Sequence, residues 1–455
     1  MEQKTEKGGN QIIEGVIWKQ LLLFFFPIVF GTFFQQIYNM ADTLVVGRFV
    51  GKEALAAVGG SASQIVNLIV GFFVGLCSGA TVIISQFYGA KDEKNLRLTL
   101  HTAFAFAILA SLGIALFGIC FSRRMLLLMN TPEEVVEDSA VYLHIYFGGM
   151  LFNLLYNMGA GILRAVGDSR RPLYVLIVTC VLNIVLDLVT VVGFGLGVRG
   201  VAISTVAAQG VSAGMVVWML LKTQELYRLR AREIRIHGRH LSSILGIGVP
   251  VGMESVMYGI SNVLIQVFVN DLGTDTVAAW GTLSKVDAFF WMVINAFGIA
   301  ITTFVGQNYG AGKFDRMRKS VHVCMGMSMV SAVAISGVCV AFGRSIYGIF
   351  TTDPSVVSIG THMINRMMPA YSIFVVISTL SGALRGAGKV LVPMVLTCGG
   401  VCTLRIVWLL AMVPRFPGID TIMLSYPISW SITSLLFILY YLKRFPKNHE
   451  NIRAY

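Results

Sequence analysis

Four carboxylates, Asp42, Asp187, Glu254 and Asp287, lie inside long apolar stretches of this 455-residue sequence. An ionisable group in such a stretch is costly unless it serves a pathway or finds a partner, so each is a candidate functional residue. Asp187 follows Asn183 by one helical turn, which places both on one face. Gln35, Asn39 and Asp42 fall at i, i+4 and i+7, a polar stripe on an otherwise apolar segment. Together these residues offer carboxylate and amide oxygens, hard donors that suit Na+. Two neighbouring carboxylates in a low-dielectric setting also suit one shared proton, because both cannot easily ionise. Glu254, four residues after Pro250, is a candidate second ion or substrate group. Lys285 and Asp287 are two residues apart and so off a common face, either cavity groups or partners of other helices. Arg405 is read as a structural residue that snorkels or finds an acid. Pro27 removes a backbone hydrogen bond from the first apolar segment and bends it, fifteen residues before Asp42. For each of these polar residues the plainer alternative is a hydrogen bond to a neighbouring helix.

The elements that must carry these residues are membrane helices. The sequence is 56% hydrophobic and 13% charged, against roughly 25% charged in a soluble domain. A span needs about 20 mostly apolar residues. Such runs occur at 17–41, 54–80, 97–120, 139–161, 173–194 and 198–221, then at 241–269, 276–305, 320–342, 357–383, 391–413 and 420–442. The net charge of +12 sits in short clusters between these runs, which speaks for orientation in a membrane and against nucleic acid. Of the 35 Lys and Arg, only Arg48, Lys52, Arg123, Arg124, Arg199, Arg344 and Arg415 fall in the odd-to-even loops, and Lys285, Arg366 and Arg405 fall inside spans. The rest lie in the terminal segments and the even-to-odd loops, or at the span ends that adjoin them (Lys19 and Arg97), so both termini are expected in the cytoplasm. The seven cysteines lie in apolar runs and read as reduced packing residues. No cleavable leader is evident.

The chain is an internal duplication. A shift of 221 residues pairs Gln86, Tyr88, Gly89 and Ala90 with Gln307, Tyr309, Gly310 and Ala311, and Gly161, Leu163, Arg164, Gly167 and Pro172 with Gly382, Leu384, Arg385, Gly388 and Pro393. At 223, Pro27 meets Pro250. The expected organisation is an N-terminal lobe over 1–221, a basic linker over 222–240 that alternatively forms a lipid-binding surface helix, and a C-terminal lobe over 241–455. With six spans in each half, the lobes are expected to be related by an axis along the membrane normal, with a substrate cavity between them and alternating access by rocking. None of the four acids has an acidic counterpart in the other half, which fits a single ion site.

Three motifs are set aside. Gly195-x-Gly197-x-x-Gly200 matches a dinucleotide fingerprint but lies between two spans with no strand before it. Gly310-Ala-Gly312-Lys313 and Gly386-Ala-Gly388-Lys389 lack the spacing of a phosphate loop. No stretch is long enough for a nucleotide-binding domain, and no metal cluster or nucleophile–base arrangement is visible. An enzyme is therefore not expected, nor any cofactor beyond a coupling Na+ or H+.

The segments Tyr38-Asn-Met-Ala-Asp42-Thr-Leu-Val-Val-Gly47, Ala54-Leu-Ala-Ala-Val-Gly59, Ser85-Gln-Phe-Tyr-Gly-Ala90, Gly161-Ile-Leu-Arg-Ala-Val-Gly-Asp168, Asn183-Ile-Val-Leu-Asp187 and Gly306-Gln-Asn-Tyr-Gly-Ala-Gly312, in this order, resemble the multidrug and toxic compound extrusion (MATE) transporters. The resemblance covers essentially the full length. It implies an all-α fold of twelve transmembrane helices in two six-helix lobes, and export of cationic or amphipathic organic compounds in exchange for Na+ or H+. It further implies an ion site at Asp42, Asn183, Asp187 and Thr205, with Pro27 as the bending proline. Relatives that place essential carboxylates in the seventh and tenth helices are matched poorly, because Glu254 sits closer to its proline and the tenth helix has no acid. The expected protein is thus a multi-pass transporter of the bacterial inner membrane, working as a monomer on small organic substrates and surrounded by lipid. The rivals are a lipid-linked oligosaccharide flippase of the same superfamily, which would want a cavity rich in Arg and Lys, and a non-transporting receptor or scaffold, which would want large soluble loops.

Overall fold

The computed structural model describes residues 10–445, and among these every regular element is helical. Eleven helices are long and apolar enough to cross a membrane. They are α1 (Ile17–Phe49), α2 (Lys52–Gly89), α3 (Glu93–Leu128), α5 (Arg170–Gly193), α6 (Gly197–Lys222), α7 (Gly238–Asn270), α8 (Thr274–Gly310), α9 (Phe314–Phe350), α10 (Pro354–Gly386), α11 (Leu391–Met412) and α12 (Ile419–Arg444). The twelfth expected span, α4, is present as two abutting helices, Glu133–Gly148 and Met150–Ala165. Gly149 marks the break: a Cβ there would lie 2.6 Å from the Val206 side chain, so the missing side chain lets α6 approach. The repeat counterpart α10 breaks at the same place, with a 3-10 turn at Met368–Ala370 around Pro369. Residues 1–9 and 446–455, in the terminal segments expected on the cytoplasmic side, lie outside the described residues.

The helices run further than their apolar cores because their ends are capped. Asp92 accepts from the Asn95 amide at 3.1 Å and starts α3 at Glu93. Asp353 accepts from the Ser355 amide at 2.8 Å, with Pro354 at the first helical position of α10. The duplication also shows in backbone torsions. Gly167 and its mate Gly388 both turn with positive φ, at 97° and 78°, a region open to glycine without steric cost.

The chain divides into two compact units, and the division differs from the lobes expected from sequence. One unit runs from Phe26 to Gly252. The other joins the stretch ending at Phe25 to the stretch beginning at Met253. Each boundary falls inside a helix beside its proline, Pro27 in α1 and Pro250 in α7.

Packing explains both crossings. In the first unit, Gly75 and Gly79 of α2 meet Gly248 and Gly252 of α7 so closely that a Cβ on Gly75 would lie 2.6 Å from the Gly252 Cα. Two helices that each carry small residues four apart bring their backbones together in lipid, where dispersion rather than water exclusion drives association. In the second unit, Phe25 stacks on Phe297 at 4.1 Å and Phe24 meets Phe304 edge-on. Asn10 donates to Gln307 at 2.9 Å, and Arg316 donates to the Ile12 and Gly15 carbonyls. The same unit repeats the small-residue packing, with Gly382 and Gly386 of α10 against Gly298, Thr302 and Val305 of α8.

The 222–240 segment is an ordered strap on the first unit. Between Lys222 and Gly238 it forms only a 3-10 turn, Ala231–Glu233, so the alternative of a surface helix is not realised. Arg97 of α3 grips both carboxylate oxygens of Glu233, and Arg230 adds a bond at 3.3 Å. The Arg97 guanidinium pulls the Glu233 carboxyl down to about 2. The Arg230 amide donates to His101 Nε2 at 3.0 Å, while the hydroxyls of Thr99 and Thr102 meet the rings of His240 and His237.

Candidate functional site

Asp42 on α1, Asn183 and Asp187 on α5, and Thr205 on α6 are all buried within the first unit. The hydroxyl of Thr205 donates to Asp42 Oδ2 at 3.3 Å. Asp42 lies beside Asp187 and Asn183, and Asp187 beside Ser204. Helix α5 supplies Asn183 and Asp187 from one face, then passes into a π-helical stretch, Leu188–Gly193. Within that stretch Thr190 bonds the hydroxyl of Ser204 at 2.9 Å and ties α5 to α6. A π segment widens the turn and re-aims side chains, and such segments recur at functional sites.

Most polar atoms of this cluster have no hydrogen-bond partner among the described residues. Asp42 Oδ1, both oxygens of Asp187, and both amide atoms of Asn183 are buried without a hydrogen bond. An unpaired buried polar group costs about 1–3 kcal/mol, more if charged. A cation ringed by carboxylate, amide and hydroxyl oxygens would satisfy the oxygens at once, and protonation of a carboxyl would satisfy part of them. The donors are hard and the ionisable pair acidic, so the arrangement fits an alkali cation or a proton and not a soft metal.

Sequence reasoning missed the surrounding wall. Tyr38, Tyr142 and Tyr146 stand around Asp42, and Gln209 donates to the Tyr146 hydroxyl at 3.5 Å. A signal was present: Tyr38 precedes Asp42 by four residues, Gln209 follows Thr205 by four, and Tyr142 and Tyr146 are themselves one turn apart. The expected stripe on α1 divides. Asp42 is buried, whereas Gln35 and Asn39 are exposed, with Asn39 donating to Gln36 at 3.4 Å. The walls that cover the Asp42 turn do not extend to the turns before it.

The second unit arranges its polar groups differently. Arg385 donates from Nη2 to both oxygens of Glu254, at 2.8 and 2.7 Å, so this acid is already neutralised. Asp287 accepts from the Tyr371 hydroxyl at 2.5 Å, and its Oδ1 is buried without a partner. Tyr371 starts the helix just after the Pro369 turn, which is what aims it at α8. Lys285 is exposed, with its ammonium 5.6 Å above the Phe350 ring and away from Asp287. Arg405 is buried against Tyr426 rather than snorkelling.

Comparison with known proteins agrees with this architecture. The MatE family model matches residues 27–189 and 250–409, one segment in each half and together more than half of the chain. The chain is 28% identical over 435 residues to the probable multidrug resistance protein YoeA of Bacillus subtilis, covering 93% of each. It is 26% identical over 405 residues to the probable multidrug resistance protein NorM of Thermotoga maritima, covering 88% of this chain and 86% of that one. In fold it is similar to a MOP superfamily transporter from Pyrococcus furiosus, with TM-score 0.88 at 20% identity over 96% of this chain and 98% of that one. A Vibrio cholerae MATE transporter gives TM-score 0.87 at 21% identity, over 94% of this chain and 96% of that one. With eleven helices of membrane-spanning length and the broken α4 among the described residues, a duplicated sequence and a family model that matches both halves, this multi-pass membrane protein belongs to the MATE family of multidrug efflux transporters.

Proposed function

We propose that this transporter exchanges Na+ or H+ for organic compounds, cationic or amphipathic, that it exports by alternating access. The observation that carries the reading is the buried cluster of Asp42, Asn183, Asp187 and Thr205, whose unpartnered oxygens call for a cation. Asp42 and Asp187 are the coupling pair, Asn183 and Thr205 supply neutral ligands, and the three tyrosines exclude water. Entry of the cation removes the repulsion between the carboxylates and so favours one state of α1. Pro27 lies where α1 passes from one unit to the other, so a bend there is the route by which charge at Asp42 reaches the first turns of the helix. Glu254 takes no part in coupling, because Arg385 already holds it. The buried acids of the first unit argue against the flippase rival, which would want a cavity rich in Arg and Lys. Both repeats are present in one chain, so the monomer is the working unit, set in the inner membrane with both termini in the cytoplasm.

The test is efflux of a fluorescent organic cation from cells expressing the protein or its Asp42→Asn variant, with Na+ and pH gradients imposed separately. Gradient-driven efflux by the wild type and its loss in the variant, at equal membrane content, is the expected result, and the gradient that works names the ion. Full efflux by the variant would remove Asp42 from the mechanism.

A further inference from the structure

Among the described residues, a deeply buried guanidinium in the second unit stands without a counter-charge. Arg405 on α11 is 2% exposed, and its Nε and Nη2 are buried with no hydrogen-bond partner among the described residues. Among the described residues it forms no ion pair, since Glu254 is held by Arg385 and Asp287 is bonded to Tyr371. Its Cζ sits 3.9 Å above the centre of the Tyr426 ring and 5.8 Å from that of Trp430. The Nε1 of Trp430 is also buried and without a partner. These three nitrogens all donate and none can accept.

The local fold is built to place them together. Helix α11 runs as a π helix over Thr397–Thr403, directly before Arg405, and this re-aims the residues that follow. At Gly400 a Cβ would lie 2.1 Å from the Thr433 hydroxyl, so the missing side chain lets α12 press against α11. Trp430, one turn before Thr433, is thereby brought beside the guanidinium. Tyr258 of α7 also lies near Arg405. Tyr258, Tyr426 and Trp291 are half-buried and offer ring faces, with the Trp291 and Trp430 centroids 6.4 Å apart.

Cation–π contact compensates only part of the desolvation of a buried charge. What is missing is an acceptor that carries negative charge, and the planar fork of arginine matches carboxylate and phosphate oxygens. We propose that Arg405 and Trp430 form an anion-accepting subsite within the second unit, for an organic substrate that bears a carboxylate or phosphate beside a flat aromatic ring. The anion lies on the guanidinium edge and the indole N–H, and the ring stacks among Tyr258, Tyr426 and Trp291. This subsite is independent of the coupling role given to Asp42 and Asp187, and it requires no ion gradient to be observed.

Equilibrium binding to the detergent-solubilised full chain tests it, using 2-naphthoate and 1-naphthyl phosphate as anionic probes and methyl 2-naphthoate as the uncharged one. At least one anion should bind ~10-fold more tightly than the ester, a difference of about 1.4 kcal/mol, and the tighter of the two identifies the headgroup. Arg405→Gln should reduce both anions to the level of the ester while leaving the ester unchanged. Arg405→Lys, which keeps the charge but not the fork, and Trp430→Phe, which keeps the ring but not the donor, should each give an intermediate preference. These two variants also carry the test if Arg405→Gln does not remain monodisperse. Equal binding of anions and ester by the wild type overturns the proposal, as does the absence of saturable anion binding. An anion preference that survives undiminished in the Arg405 variants also overturns it.

Discussion

Arg385 holds both carboxylate oxygens of Glu254, while its repeat mate Arg164 has only Gly31 and Thr32 at the positions equivalent to the acid. The pair is therefore a property of one half alone. Removing one member of a buried pair costs about 3–5 kcal/mol, because the other is left charged and alone. Arg385 keeps 27% of its side chain exposed, so the lower end applies. Glu254→Gln should lower the apparent Tm in detergent by several degrees, and Glu254→Gln with Arg385→Met should recover much of that loss. Gradient-driven efflux per folded molecule should survive in the double variant; its disappearance would return Glu254 to the coupling machinery.

Ligand linkage gives a second expectation at the acidic cluster. A cation that binds the native state at 100 times its Kd stabilises it by about 2.7 kcal/mol. If Na+ is the ion, raising NaCl at constant ionic strength should raise the Tm of the wild type, and Asp42→Asn, Asp187→Asn or Thr205→Val should flatten that response. If the proton is the ion, the wild type should be insensitive to Na+ against K+ and the same variants should alter the pH dependence of efflux.

The strap over 222–240 makes stability depend on acid. Glu233 has a carboxyl depressed to about 2 by the Arg97 guanidinium, from an ordinary value of 4.5. A depressed folded value means that the contribution is complete above the unfolded value and is lost as pH falls from about 4.5 towards 2. Wild type and Glu233→Gln should therefore differ in Tm at pH 6 and converge as the pH is lowered through that interval. Since the carboxylate is near the surface, the difference should also shrink in high salt. Equal Tm values at pH 6 would show that the strap contributes nothing.

Helix crossings without room for a methyl make a fourth prediction. Gly75→Ala and Gly248→Ala each force a Cβ into backbone, onto Gly252 and Leu76 respectively, and overpacking of this kind costs about 1–3 kcal/mol. Gly113→Ala on α3, where a Cβ would meet nothing within 4 Å, should change little. A thermal shift series in detergent distinguishes them, and a Gly75→Ala protein as stable as Gly113→Ala would contradict the crossing.

Apolar run length and the alternation of charge made the twelve spans legible, because both follow directly from the energy of placing groups in hydrocarbon. The Asp42, Asn183 and Asp187 set was legible for the same reason, as polar residues where none is cheap. Tyr142 and Gln209 were harder to see because each is compatible with a membrane helix and declares its role only through neighbours on other elements. The pairing of Glu254 with Arg385 was hidden further, since Arg385 reads as the start of a basic loop and lies 131 residues away. Where the units divide was least legible of all. The sequence marks loops by their charge, and nothing in a charge count tells which half the first turns of α1 or α7 will pack against.

That exchange of helix ends bears on how the protein arose. A chain consisting of one half alone would begin with an arm whose best packing surface lies on another copy. Two such chains would trade arms and form a dimer, each completing the other. Fusing their genes end to end would preserve every one of those contacts, add only the strap, and then free the copies to diverge. Such a history leaves one half with paired acids and the other with an unanswered arginine, a division of labour that identical subunits could not have held.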